Sequence, residues 1–461
     1  MNEQICKNME FTELFNGQST IFSPNGRFLA CICADCVEVR YADTLLKAFK
    51  FECADIVKVI KWSGDSALLL CQGPFTIKIF SVVSGSNIAV LKQPLGHLNQ
   101  ISWVADSRTV LFSEPFLFRM AVWKINVQYG QTIEYINNVQ PWAKPNAALS
   151  PNGKHLAVIA CKVDNDMDTK PEIGSLQNPA NKESADELVL YSSISWRKEI
   201  TINCNGIHRI NGVAWSPNSS IVVVWPSDPQ QPVLFLSTHT GFIIGKWQSP
   251  DKLWAGVLGV EFSPSSQFLT VVGLNSKVHM INCIAWCEEL ELIHHTSVCS
   301  SECEVYQEAP GDYLKNSYFV KVRERPVSIS FLSQLGKLSS SKVVWSSGGR
   351  YLASCLARAP AVIWIWSCAL LFKLCCVIVT KHPVTDFKWD PVQNILAIVD
   401  GQDCVALWNA DEKILRSLSV CTPVSRLLFQ ARHLHWRHDG KVMVASSEQN
   451  STILELSSHD Q

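Results

Sequence analysis

Residues 21–30 read Ile21-Phe22-Ser23-Pro24-Asn25-Gly26-Arg27-Phe28-Leu29-Ala30. An apolar pair ending in an aromatic leads into Ser, Pro and two turn residues, and a second apolar run begins at Phe28. Pro presets the dihedral of a turn and Gly accepts positive φ, so the unit reads as strand, tight turn, strand. One such unit decides nothing; its recurrence does.

Eight further copies follow: Trp62-Ser63-Gly64-Asp65-Ser66, Trp103 with Asp106-Ser107, Leu149-Ser150-Pro151-Asn152-Gly153, Trp215-Ser216-Pro217, Phe262-Ser263-Pro264, Trp345-Ser346-Ser347-Gly348, Trp389-Asp390-Pro391 and Trp436-Arg437-His438-Asp439-Gly440. The intervals between anchors are 40, 41, 46, 66, 47, 83, 44 and 47 residues. Six of these eight lie near the roughly 40–45 residues of a four-stranded propeller blade. Each anchor is also followed by a later apolar run, as in Val37-Glu38-Val39, Ile77-Lys78-Ile79-Phe80, Val362-Ile363-Trp364-Ile365-Trp366 and Val405-Ala406-Leu407-Trp408. These are third strands, where WD repeats carry their signature dipeptide. Here Ser367 follows Trp366 and Asn409 follows Trp408, so the dipeptide has decayed, and a Gly-His pair stands clearly before an anchor only at Gly96-His97. The pattern predicts an all-β, WD40-type β-propeller of about nine four-stranded blades in one closed ring. Eight or ten blades, and two smaller propellers, are the alternatives.

The two long intervals predict insertions. Asp164 to Glu187 is polar and reads as a loop within blade four. His294 to Ser340 reads as an insertion carrying a hairpin, with a decayed blade around Val305-Tyr306 as the alternative. After Ile453-Leu454-Glu455-Leu456 too few residues remain for a fourth strand. The N-terminal run Glu10 to Phe15 is therefore expected to complete the last blade and remove an open sheet edge. Residues 1–8 read as an extension and 9–461 as the propeller.

Forty Lys and Arg against 41 Asp and Glu give a net charge of -1, which carries no footprint for nucleic acid or membrane. The opening Met1 to Met9 is polar, without an apolar signal segment. The 18 cysteines are accordingly read as reduced thiols, mostly small apolar fillers. On that reading the sequons at Asn218 and Asn450 are chance matches. Ala361 to Val379 has membrane-spanning length with Lys373 as its only charge, but it falls in register with the repeat and reads as strand, turn, strand.

No phosphate loop, dinucleotide fingerprint, zinc-protease motif or nucleophile elbow occurs, so no enzyme activity, cofactor or small-molecule substrate is expected. Cys31, Cys33 and Cys36 form C-x-C-x-x-C. Zinc asks for about four ligands, and spacing places no fourth, so no metal is expected. Cys299 and Cys303 have no further support. Asp164, Asp166 and Asp168 alternate like a calcium loop, yet Thr169 stands where Gly is needed and Ser175 where Glu is needed. His97, His208 and His382 could reach one face, but no paired acid or nucleophile accompanies them. Trp142 and Trp254 lie between a fourth strand and the next anchor, on loops that a propeller gathers on one face. Each is a candidate protein-binding residue or a seal between blades, and His382 is a third candidate.

Phe262 to Asn282, Val305-Tyr306-Gln307-Glu308-Ala309, Pro383 to Trp408 and the opening Met9-Glu10-Phe11-Thr12-Glu13-Leu14-Phe15 resemble the WD-repeat family of WRAP seventy-three, also called WD-repeat protein eight. Trp254-Ala255-Gly256 is similar to a Trp-Ser-x-Gly stretch at the same place in that family, while the match fades across 294–340. The resemblance implies a non-enzymatic scaffold of cytoplasm and cytoskeleton at centrosomes, centriolar satellites and spindle poles. It further implies roles in microtubule minus-end anchoring, mitotic spindle organisation and cilium assembly. The implied partners are a coiled-coil centrosomal anchoring protein of the SSX-interacting, Msd-type family and a minus-end-directed kinesin. A WD-repeat subunit of a translation-initiation or ubiquitin-ligase assembly is the alternative.

Overall fold

Each of the nine anchors is the last residue of a first strand. These strands are Gln18–Phe22, Val59–Trp62, Asn99–Trp103, Ala147–Leu149, Ile210–Trp215, Val257–Phe262, Lys342–Trp345, Asp386–Trp389 and His433–Trp436. The computed structural model describes residues 12–456 except 13, 35, 54, 93–98, 127–129, 162–185, 206, 310–317, 324–325, 333–340, 403 and 420–428. The small residue after the anchor closes the turn. Ser23 Oγ donates to Asn25 Oδ1 at 2.7 Å and accepts from the Phe28 N–H at 3.0 Å. Ser63, Ser150 and Ser216 repeat the first of these bonds.

The turn residue three after the anchor's serine adopts positive φ, which explains Gly26 and Gly153. Serine stands there at 66, 219 and 266 for a second reason. Its hydroxyl accepts an N–H from the neighbouring blade, from Asn25 at 3.0 Å, Asn152 at 3.1 Å and Asn218 at 3.1 Å respectively. The indoles stitch blades in the same way. Trp215, Trp389 and Trp436 each donate Nε1–H to a carbonyl one blade earlier, at Ala148 (2.8 Å), Val344 (3.0 Å) and Lys388 (3.2 Å). An aromatic anchor with a donor thus fixes blade-to-blade spacing as well as filling core.

The chain forms two compact units, Met1–Gly96 with Leu292–Gln461, and His97–Glu291. The first holds five of the nine blade sheets and the second holds four. In seven of the nine blade sheets the four strands run antiparallel in sequence order, and apolar clusters fill the space between consecutive sheets. The fold is an all-β propeller of nine blades among the described residues, the WD40-type architecture predicted from the repeat.

The last blade takes its outer strand from the other end of the chain. Phe15 pairs with Ser451 and Asn16 with Asn450, and the Thr12 N–H donates to the Ile453 carbonyl at 2.9 Å. The pairing lies at the C-terminal end of the predicted run, while Glu10, Phe11 and Glu13 lie outside the described residues. Ala361 to Val379 is strand, turn and strand: Ala359–Ser367 and Lys373–Val379 with a short 3-10 turn between. No helix among the described residues is long and apolar enough to cross a membrane.

Two expectations need correction. The blade-four insertion falls mostly outside the described residues, but its end was set too late. Glu187 begins strand Glu187–Ser192, and the buried Asp186 accepts from Gln140 Nε2 and from the Ile210 N–H at 2.9 Å. The span from His294 to Ser340 contains core as well as surface. Its strands Glu304–Ala309 and Tyr318–Lys321 form a hairpin, and the first pairs in parallel with Lys373–Val379. Blade seven thereby has six strands. Val305 and Tyr306 are buried, because a strand laid on a sheet edge must cover its inner face, and Val298 and Val327 are buried where Ser297–Val298 pairs with Val327–Ser328. A decayed separate blade is not what the echo at Val305-Tyr306 marked.

Candidate protein-docking surface

Trp142 lies between strands Gly130–Asn137 and Ala147–Leu149, on a loop tied down at several points. The Val139 N–H donates to the Phe118 carbonyl, the Gln140 N–H to Ile159 and the Lys144 N–H to Asn211, each at 2.8 Å. Beneath it, Asn146 Nδ2 donates to Ser113 Oγ at 2.9 Å, and Gln140 Nε2 donates to Asp186. Burial pushes the Asp186 carboxyl up, against the Gln140 and Ile210 donors that hold it down. A loop so tied costs little further ordering when it meets a partner.

Its indole nevertheless points outward. Trp142 is 56% exposed, its ring edge-on to Phe118 at 6.4 Å, with the Arg209 guanidinium 5.2 Å over its face. Phe116, Leu117 and Phe118 occupy the second-to-third-strand loop of blade three and are all exposed. Burying three aromatic rings and a Leu is worth several kcal/mol on the scale of about 25 cal/mol per Å². The exposed rings make this patch the candidate surface for a protein partner. Sequence reading found Trp142 but not Phe116 to Phe118; the run Pro115-Phe116-Leu117-Phe118 between two strands was the available signal.

Trp254 lies on the predicted kind of loop, between Ile243–Trp247 and Val257–Phe262, and is half-buried. Its ring meets Trp247 edge-on at 5.5 Å and His279 at 5.2 Å. It fills the space over Gly273, where a Cβ would come within 2.5 Å of it. Trp254 therefore packs into the blade wall, and its neighbour Leu253, at 79%, is the exposed side chain. His382 is exposed on the loop between Lys373–Val379 and Asp386–Trp389, where its carbonyl accepts from Thr380 Oγ1 at 2.7 Å. The structure brings none of these three against another. His208 is exposed too, and His97 lies outside the described residues, as do Asp164, Asp166 and Asp168.

In the five-blade unit, an open recess of about 530 Å³ is lined by Phe22, Trp62, Trp389 and Trp436 with Lys61 and Lys388. Burial lowers both lysines, and Lys388 Nζ donates to the Leu434 carbonyl at 2.5 Å. No acid–nucleophile pair faces this recess, and its aromatic walls are the anchors themselves.

No family model matches the chain. It is similar to the mouse WD repeat-containing protein WRAP73, 24% identical over 432 residues, covering 87% of this chain and 87% of that protein. It is also similar to an uncharacterized WD repeat-containing protein of Schizosaccharomyces pombe, 22% identical over 411 residues, covering 85% of this chain and 78% of that one. Among solved structures it resembles a crystal structure of the eukaryotic initiation factor, with a TM-score of 0.59, 11% identity and 87% and 88% of the two chains covered. The C-terminal WD40 domain of Sif2 matches with a TM-score of 0.51, 8% identity and 97% and 99% covered. At these identities the solved structures speak for the fold alone. The resemblance to the WRAP seventy-three family read from the sequence stands, and the chain is a WD-repeat protein.

Proposed function

We propose that this WD-repeat protein is a non-enzymatic scaffold that docks a helical partner on the loops around Trp142. The observation that carries the reading is the pairing of exposed aromatics with loops tied by backbone hydrogen bonds. A helix presenting an apolar stripe can bury Phe116, Phe118 and Trp142 together, and an acidic residue beside that stripe can meet Arg209. The family resemblance read from the sequence names the partner as a coiled-coil centrosomal anchoring protein, a minus-end-directed kinesin as a further member, and centrosomes and spindle poles as the place. Minus-end anchoring, spindle organisation and cilium assembly are then the processes served.

The test is Trp142→Ala in the full chain, with proximity labelling and pull-down from dividing cells. Melting should stay nearly unchanged, while capture of the coiled-coil partner weakens by roughly 2 kcal/mol, the usual scale of a hot spot. Recruitment to spindle poles should fall with it. Unchanged capture by Trp142→Ala combined with Phe118→Ala would move the docking surface elsewhere.

A further inference from the structure

Blade one carries a group of polar side chains on a face that otherwise packs apolar residues. Strands Phe28–Cys33 and Cys36–Tyr41 form a hairpin in which Cys33 stands opposite Cys36 and Cys31 opposite Glu38. Side chains alternate along a strand, so these four share one face, while Ala30, Ile32, Val37 and Val39 pack on the other. The Cys31 thiol donates to the Glu38 carbonyl at 3.5 Å, across the hairpin. The sulfurs of Cys31 and Cys33 and a Glu38 carboxylate oxygen lie within 4.8 Å of one another. Glu38 is buried, as are Cys31 and Cys36, while Cys33 is half-buried and leaves a path for an ion.

We infer that Cys31, Cys33 and Glu38 form the core of a binding site for a thiophilic divalent cation of the zinc class, with Cys36, opposite Cys33 in the hairpin, closing on the ion as its fourth ligand. Two sulfurs and a carboxylate oxygen are already gathered, and the Cys36 sulfur on the same face would complete the four donors that a closed tetrahedral zinc site requires. Linear spacing hid the carboxylate ligand, because Glu38 meets Cys31 only through the strand register. Charge balances as well. Three thiolates and a carboxylate around a divalent ion leave two negative charges, and Arg40 and Lys47 already sit on Glu38 at 2.7 and 2.6 Å. Packing alone accounts for a thiol at 31, which is fully buried in an apolar cluster with Phe15, Phe22, Leu29 and Val444. It does not call for two more thiols and a buried carboxylate beside it. The Cys33 thiol also faces the Asn16 carbonyl at 3.8 Å, so an ion here would sit against the N-terminal strand that completes the last blade.

The experiment uses the full chain purified under reducing conditions without chelator. Elemental analysis should find about one zinc per chain, and cobalt exchanged into the site should give thiolate-to-metal charge-transfer absorption. Cys33→Ser with Glu38→Gln should lose both signals. Cys287→Ser, an exposed thiol outside the cluster, should keep both. If the double variant does not fold, the single Cys33→Ser, at a half-buried position, should still weaken cobalt binding at least tenfold. A folded, reduced wild type that takes up neither metal overturns the inference. So does a variant that retains full stoichiometry, or mass spectrometry finding Cys33 joined to Cys36 as a disulfide in the protein from cells.

Discussion

His294 opens what the sequence marks as an insertion, yet its imidazole belongs to the wall of blade seven. Nδ1 bonds the Leu292 carbonyl at 2.8 Å; a carbonyl only accepts, so Nδ1 carries the proton. Nε2 then accepts from Ser354 Oγ at 2.9 Å, and that hydroxyl accepts from Trp366 Nε1 at 3.0 Å. Trp364 and Trp366 both meet the ring edge-on. Burial lowers the His294 pKa from 6.5 to about 4, so the folded ring is neutral where the unfolded one is charged. Its contribution is full above pH 6.5 and is lost as pH falls toward 4, because the unfolded state takes up the proton first. The stability difference between wild type and His294→Asn should therefore narrow over that window in urea titrations. Ser354→Ala should cost about 1–3 kcal/mol at neutral pH, since it strips a partner from two buried groups at once. Asp400 has the opposite sign. Burial, and next the charge of Glu308, raise its carboxyl to about 6, so ionising it opposes folding as pH rises from 3.8. Asp400→Asn should accordingly raise the melting temperature at pH 7. A sequence offers little warning of such residues. His294 reads as a loop because polar chain follows it, and its Ser354, Trp364 and Trp366 partners lie 60 and more positions away.

Strands were legible where turn chemistry and apolar runs agreed. All nine anchors end a first strand because Ser, Asn, Asp and Gly in the following turn admit few other conformations. Leu149 fits without an aromatic since its turn, Ser150 to Gly153, is complete. The added hairpin of blade seven was half-legible. Its strands show apolar alternation, but parallel pairing with Lys373–Val379 has no local turn to announce it. Tyr306 makes the hairpin matter to its surroundings, for its hydroxyl donates to the Lys413 carbonyl of blade eight at 2.7 Å. Replacing 304–321 by a short Gly/Ser link uncovers Lys373–Val379 and should lower the melting temperature and promote association, visible in scattering. Replacing the polar run 164–185, read as a loop from the sequence, in the same way should leave both nearly unchanged, because a change of loop length costs only about 0.6 kcal/mol per doubling. The candidate surface was legible to the level of its loop and no further. Linear position placed Trp142 and Trp254 alike, whereas Gly273 turns the second inward and Arg209 with Phe118 frames the first outside.

Across the molecule, repetition does what no single blade can. One blade exposes both sheet faces, and consecutive blades bury them against each other through shared clusters such as Ala397, Val405, Trp436 and Met443. The two chain ends meet in one sheet, so the order of the blades along the chain is a convention of where translation starts. A permutant joined from 456 to 12 by a short linker, with new ends at the exposed Val83 turn of blade two, should fold to the same far-ultraviolet spectrum and hydrodynamic size. Aggregation of that permutant would mean that the native ends do more than pair.

That shared sheet also sets a schedule. Phe15 and Asn16 leave the ribosome roughly 430 residues before their partners at 450 and 451. At about 5–20 residues per second the wait is roughly 20–90 s, far longer than a hairpin needs to form. Through that interval the nascent chain carries an unmatched strand at its leading end. Any message cut short before codon 450 makes a product whose final blade can never be sealed, however well the other eight have folded.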